Sequence, residues 1–193
     1  MEQTSVQKLA QVLRVLVIVI FACNVIALYF VPGLALLGGG IDSLQELTPY
    51  QNFWELPIRV VILFSYCWFP TMWAFAEAPV SLALAVFLLV CGICTANILW
   101  QAKRVLDTIL KGEPFTMNNA VNMKRAAVCC FVISGAALAR LIWGLIYYAS
   151  VRPLLTYNAL FVPVFLVGGL LFLVMSALFR QAAELKAEND LTI

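Results

Sequence analysis

Lys124-Arg125 leads into AAVCCFVISGAALARLIWGLIYYASV, residues 126–151, which carries a single charge, Arg140. An α-helix needs about 20 predominantly apolar residues to cross a hydrocarbon core about 30 Å thick. The stretch is long enough to cross, and the basic pair before it and Arg152 after it mark its two ends. Nothing in a soluble domain calls for such a run.

Three further stretches read the same way. Residues 15–41 are uncharged, dense in apolar residues to Val31 and then interrupted by Pro32-Gly33 and Gly38-Gly39-Gly40. Residues 78–102 are uncharged, and residues 153–179 hold Pro163 and Gly168-Gly169. Composition agrees: 64% of residues are apolar and 11% charged, against roughly 45–50% and 25% in soluble proteins. So few charges cannot cover so much apolar surface in water. The expected fold class is an all-α integral membrane protein, a four-transmembrane-helix bundle. It forms a single membrane domain with spans at about 12–31, 80–101, 126–150 and 156–179. The first apolar run exceeds the usual signal-peptide core and no A-x-A-like site follows, so it is expected to be retained.

Lys and Arg flanking the spans set orientation, because they are held on the cytoplasmic side during insertion. With four spans, the N-terminus, the 102–125 connection and the 180–193 tail share one side. That side holds nine basic residues: Lys8, Arg14, Lys103, Arg104, Lys111, Lys124, Arg125, Arg180 and Lys186. The other side has only Arg59 and Arg152, among Asp42, Glu46, Glu55 and Glu77. Both termini are therefore expected in the cytoplasm, in a bacterial inner membrane.

Between the first two spans, the outer segment 32–79 contains a fifth apolar stretch, residues 60–76. It is crowded with Phe64, Tyr66, Trp68, Phe69, Trp73 and Phe75 around Pro70. A full span here would turn the basic 102–125 connection outward. It is expected instead as an extracytoplasmic interfacial or re-entrant element, where aromatic rings settle at the membrane–water boundary.

The 102–125 connection is expected to be a cytoplasmic helical hairpin. Leu99, Ala102, Leu106 and Ile109 continue a stripe at helical spacing. Gly112 stands where a left-handed cap is wanted and Pro114 follows it. Thr116 or Asn118 can then cap the third helix. Leu178, Ala182 and Leu185 carry a similar stripe past the fourth span, ahead of Leu191-Thr192-Ile193.

Arg140 lies about 22 Å along the helix from Arg125 and about 18 Å from Arg152, at a rise of 1.5 Å per residue. An arginine inside a bilayer costs about 2.5–3.5 kcal/mol on insertion scales, so it generally faces the bundle interior with a partner. Three readings stay open. It pairs with Glu77 or Glu55, its stem snorkels to the outer headgroups, or it binds an anionic headgroup or small anion. Cys91-x-x-Cys94 and Cys129-Cys130 bring thiols to similar depth, either as small packing residues or as a metal or redox site; packing is the expectation, with no metal. Gly135 and Ala139 form a small-x-x-x-small pair of the kind that packs membrane helices.

The basic hairpin beside the acidic tail (Glu184, Glu188, Asp190) either anchors the helices at anionic headgroups or docks a cytoplasmic protein. On the docking reading Phe115, Lys124, Arg125, Leu191 and Ile193 are the expected contacts. The alternating Leu191-Thr192-Ile193 could add a strand to a partner's sheet edge.

The run Ile109-Leu110-Lys111-Gly112-Glu113-Pro114-Phe115-Thr116, with Asn119 and Arg125, resembles the cytoplasmic motif of the YoaS-like family of small bacterial membrane proteins. The ending from Phe179-Arg180 through Leu185, Glu188 and Asp190-Leu191-Thr192-Ile193 is similar to that family's ending. The resemblance covers roughly residues 80–193, with 32–79 as an elaboration. It implies an uncharacterised four-helix protein, often encoded beside a small helix-turn-helix regulator, and no enzyme activity.

The expected function is thus regulatory or sensory. The expected partners are the bilayer, such a regulator and a further copy of the chain. Direct nucleic-acid binding is not expected at a net charge of +2. The alternative is a small transporter or channel component with Arg140 lining a polar path, although no inverted repeat is visible. An enzyme is not expected: histidine is absent, and there is no H-E-x-x-H and no intramembrane carboxylate pair. No cofactor is called for. Lys111→Cys, in a background without accessible thiols, should react with a membrane-impermeant maleimide only after the cells are opened. Labelling of intact cells would reverse the orientation.

Overall fold

The computed structural model describes residues 5–36, 57, 61, 79–149 and 151–191. Four long helices account for nearly all of them: α1 (Ser5–Leu36), α2 (Pro79–Leu110), α3 (Met117–Tyr148) and α4 (Tyr157–Leu191). A short 3-10 turn, Arg152–Leu155, joins α3 to α4. No strand occurs among the described residues, and all four helices are long and apolar enough to cross a membrane. The expected aromatic element at 60–76 lies outside the described residues.

The chain divides into two compact units, Met1–Val25 with Cys91–Ile193, and Ile26–Val90. In the second, Val31, Ala35, Ala85 and Phe87 are buried, and the Tyr29 and Phe30 rings meet edge to face at 5.4 Å. Here one sequence expectation is corrected. Pro32-Gly33 does not end α1, which continues to Leu36. Proline removes one backbone donor, but in lipid no water competes for the rest of the ladder, and such breaks are tolerated in membrane helices.

Contacts in the first unit set a register. Arg14 meets Asp107 and Phe21 meets Trp100, so α1 and α2 run antiparallel. Thr108 meets Asn119 and Cys94 meets Cys129, which does the same for α2 and α3. Ser176 meets Ala120 and Ser134 meets Val162, so α3 and α4 are antiparallel too. The helices alternate in direction, which puts the start of α1, the α2–α3 turn and the end of α4 at one end.

Ala10, Val17 and Leu106 form a small core, with Leu99, Ala102, Ile109 and Leu110 packed against it. The stripe read from the sequence at 99, 102, 106 and 109 is the face of α2 that meets α1. On α3 the buried residues are mostly small: Ala120, Ala126, Ala127, Cys130, Ser134 and Ala137. Lipid supplies no hydrophobic drive between helices, so close approach and hydroxyl bonds must hold them. Ser134 Oγ donates to the Val162 carbonyl at 2.9 Å and Ser176 Oγ to the Ala120 carbonyl at 2.7 Å. The first stitch lies beside Pro163, which leaves α4 one ladder bond short. Between the stitches Gly169 is packed under the Phe131 ring: a Cβ there would stand 2.8 Å from it.

The small-residue device was therefore read correctly in kind but misplaced on α3. Gly135 and Ala139 are exposed, and a Cβ at Gly135 would meet nothing within 4 Å. The buried face is offset from them, through Ala127, Cys130, Ser134 and Ala137. On α4, Gly169 packs, while Gly168 has open space around it. Gly169→Leu is expected to destabilise the protein by about 1–3 kcal/mol, read as a shift in its unfolding curve in detergent. Gly168→Ala should leave that curve nearly unchanged.

Candidate functional site

The α2–α3 turn is built tightly. Gly112 takes the left-handed conformation (φ 81°). Its N–H reaches the Ile109 carbonyl at 3.0 Å and that of Glu113 reaches Thr108 at 3.0 Å. This is the paired bonding of a Schellman cap, which satisfies carbonyls a helix end would leave open. Pro114 follows, and Thr116 caps α3, its hydroxyl accepting from the Asn119 N–H at 3.4 Å. Of the two cap candidates in the sequence, Thr116 fills the position and Asn118 is exposed within α3.

Asn119 locks the turn. Its side chain is fully buried, and Nδ2 donates to Thr108 Oγ1 at 2.6 Å and to the Pro114 carbonyl at 2.7 Å. Thr108 Oγ1 in turn donates a hydrogen bond to the Val105 carbonyl at 2.7 Å. Phe115 stacks obliquely on Phe179 of α4, ring centroids 6.2 Å apart, and is still 51% exposed. The turn is thus fixed both to α2 and to α4.

Next to it lies a cluster of charges. Arg14 Nε stands 2.7 Å from Asp107 Oδ1 in ionic contact, without a hydrogen aimed along the line. Lys103 Nζ donates to the other oxygen at 3.3 Å. By the helix register, Arg14, Lys103, Arg104, Asp107, Lys124 and Arg125 fall in one belt about 9 Å deep, at 1.5 Å per residue. That depth suits a headgroup layer, since the hydrocarbon core of about 30 Å grows to about 40–45 Å with both interfaces. From the belt, α3 extends about 35 Å to Tyr147-Tyr148, whose rings meet at 5.1 Å.

Of the expected contact residues, Phe115 lies at the turn, and Lys124 and Arg125 are exposed on α3, two to three helical turns further along. Leu191 is the last residue of α4, well past Phe179 and not brought together with them. Because Leu191 is helical, it does not begin a strand in this structure; Ile193 lies outside the described residues. Arg140 is half-buried on α3, within electrostatic reach of Cys91 and Tyr148. Its expected partners Glu77 and Glu55 lie outside the described residues. Cys94 and Cys129 lie within reach of each other across α2 and α3. Among the described residues no three His, Cys, Asp or Glu side chains converge as metal ligands.

Asp107 and Asn119 are what the sequence reading passed over as a site. The i,i+4 spacing from Lys103 was a visible signal for Asp107. For Asn119 there was none beyond its place one turn into a helix, because its partners are set by the turn.

Four apolar helices with a belt of charge at one end define the class: an α-helical, multi-pass membrane protein. The chain belongs to the family described as Protein of unknown function (DUF2975), whose pattern matches residues 13–193. No curated protein and no solved structure matches it. The matched range is wider than 80–193 and takes in residues 32–79 as well. It carries neither the YoaS-like name nor a neighbouring regulator.

Removing the buried amide should loosen the turn. Asn119→Ala is expected to cost about 1–3 kcal/mol, the usual effect of deleting one side of a buried hydrogen-bond set. Thr108→Val should cost less, and the double variant less than the sum. Detergent unfolding of all three measures the coupling.

Proposed function

We propose that the protein is a non-enzymatic regulatory membrane protein that holds a cytoplasmic protein at its basic end. The observation that carries this is apolar surface on the water side of the charged belt. By the register, Leu9 of α1 stands level with the α2–α3 turn that precedes Phe115, and Leu178 and Leu185 lie past the belt on α4. These four are 69%, 51%, 53% and 63% exposed, respectively.

Lipid is a poor candidate to cover them. Lowering the bilayer to that level would draw the six charges of the belt into hydrocarbon, at about 2.5–3.5 kcal/mol each on insertion scales. Even with the Asp107 pairs intact, that exceeds what four apolar side chains return. Contiguous exposed apolar surface rimmed by charge marks a protein-interaction site. The rigid turn supports the reading, because a preorganised surface loses less entropy on binding. The positive charge excess of this end supports a cytoplasmic location for it. A small helix-turn-helix regulator, the partner implied by the YoaS-like resemblance, is the class to test first. Leu191 and Ile193 are secondary contacts in this reading.

A photo-crosslinking residue at Leu178 should form an adduct with a DNA-binding regulator in living cells. Phe115→Ser should reduce that adduct about tenfold, the loss of one aromatic anchor worth somewhat over 1 kcal/mol. Adducts with lipid alone, or with an extracytoplasmic protein, would refute the reading.

A further inference from the structure

A groove runs between α1 and α2 within the depth of the belt, between the levels of Lys103 and Leu99. It encloses about 120 Å³ and is lined by Val17, Ile18, Phe21, Leu99, Trp100 and Lys103. Its walls are apolar, and the aliphatic stem of Lys103 lines one end. We propose that this groove binds an anionic phospholipid, one acyl chain lying along Ile18, Phe21 and Leu99 and the phosphate held by Lys103 and Arg104.

Three observations converge on that occupant. The first is direction. Phe21 meets Trp100, three residues from Lys103 along α2, so the groove leads from the cations toward the hydrocarbon by about one turn. The second is the cationic end. The Lys103 ammonium stands 5.2 Å from the centroid of the Trp100 ring and the Arg104 guanidinium 5.9 Å from it. The ring face holds both cations at the mouth of the groove, and tryptophan is the residue that settles at this depth. The third is charge balance. Arg14 and Lys103 share the single carboxylate of Asp107 and Arg104 stands over the neighbouring Trp100 ring, so the mouth keeps an excess of positive charge. Basic pockets between membrane helices on the cytoplasmic side are where anionic headgroups bind. A soluble ligand would find no polar wall below the mouth, and a peptide helix would need a wider trough.

Phosphatidylglycerol and phosphatidylcholine serve as the probes, in native mass spectrometry of the full-length protein released from detergent with both lipids present in equal amount. The first lipid retained should be phosphatidylglycerol by about tenfold. Arg104→Gln should reduce that preference about fivefold, the effect of one cation near an anionic headgroup, and Arg104→Lys should restore it. Ile18→Trp fills the groove without touching a charge and should abolish the preference; Ile18 is exposed, so the helix tolerates it. Lys124→Gln with Arg125→Gln neutralises two cations of the same belt away from the groove and should leave the preference within about twofold. Equal retention of the two lipids by the unaltered protein would overturn the proposal. So would a loss in the Lys124/Arg125 double variant as large as that in Arg104→Gln, which would make the effect one of general charge. An undiminished preference in Ile18→Trp would remove the groove from it.

Discussion

Charge cannot enter hydrocarbon cheaply, and the arrangement of this protein follows from that one restriction. Six charged residues from three helices fall in a belt about 9 Å deep by the helix rise. They do so because the antiparallel register brings Arg14 level with Asp107, and that level coincides with the start of α3. The belt then fixes where each helix leaves the lipid. Helices α2 and α3 are joined close beyond it by a short turn. Helices α1 and α4 continue past that level, carrying the exposed Leu9, Leu178 and Leu185 beyond the charges. The unusual feature is not that apolar residues are exposed, which lipid explains elsewhere, but that these lie on the wrong side of the charges.

Inside the lipid the helices must be held by something other than burial. Between α3 and α4 the means are visible: two serine hydroxyls on carbonyls, a row of alanines, and Gly169 against Phe131. Interhelical hydrogen bonds in membranes average about 0.6 kcal/mol, so the close approach permitted by small residues carries much of the association. Between α1 and α2 the means differ. There the contact is a small apolar core at the belt end and an ion pair on its rim, with unfilled space beside it.

Much of this was legible because membrane helices obey few rules. Span number followed from run length, and the α2–α3 turn from Gly112, Pro114 and Thr116, each of which has one conformational use there. The stripe Leu99, Ala102, Leu106 and Ile109 named the α1-facing side of α2 correctly. Failure came where a rule from water was carried into lipid, as at Pro32-Gly33, or where a motif has no phase. The pair Gly135 and Ala139 satisfies the small-residue spacing as well as the buried alanines do, and only the facing helix tells which row is used. Asp107 and Asn119 were missed because their role depends on residues in other elements. The face at the basic end was legible only as a list of residues, since its geometry depends on how far α4 outruns the turn.

A protein that reports a signal needs two arrangements with different affinity for its partner. The two halves of this unit are unequally suited to supply them. Helix α3 is clamped to α4 by hydroxyl bonds and an aromatic–glycine contact, and to α2 by the buried Asn119. A shift there would strand buried polar groups. Helix α1 is held to α2 by partly exposed charges, which are worth little each, and by an apolar seam with a groove in it. Movement therefore comes most cheaply at α1. Because α1 carries Leu9 and the other helices carry Phe115 and Leu178, such a movement would change the shape of the proposed docking face directly. A lipid seated between α1 and α2 would be placed at the softest contact of the unit, where filling or vacating the groove biases that movement. On this view the bilayer's anionic content and the cytoplasmic partner act on one helix.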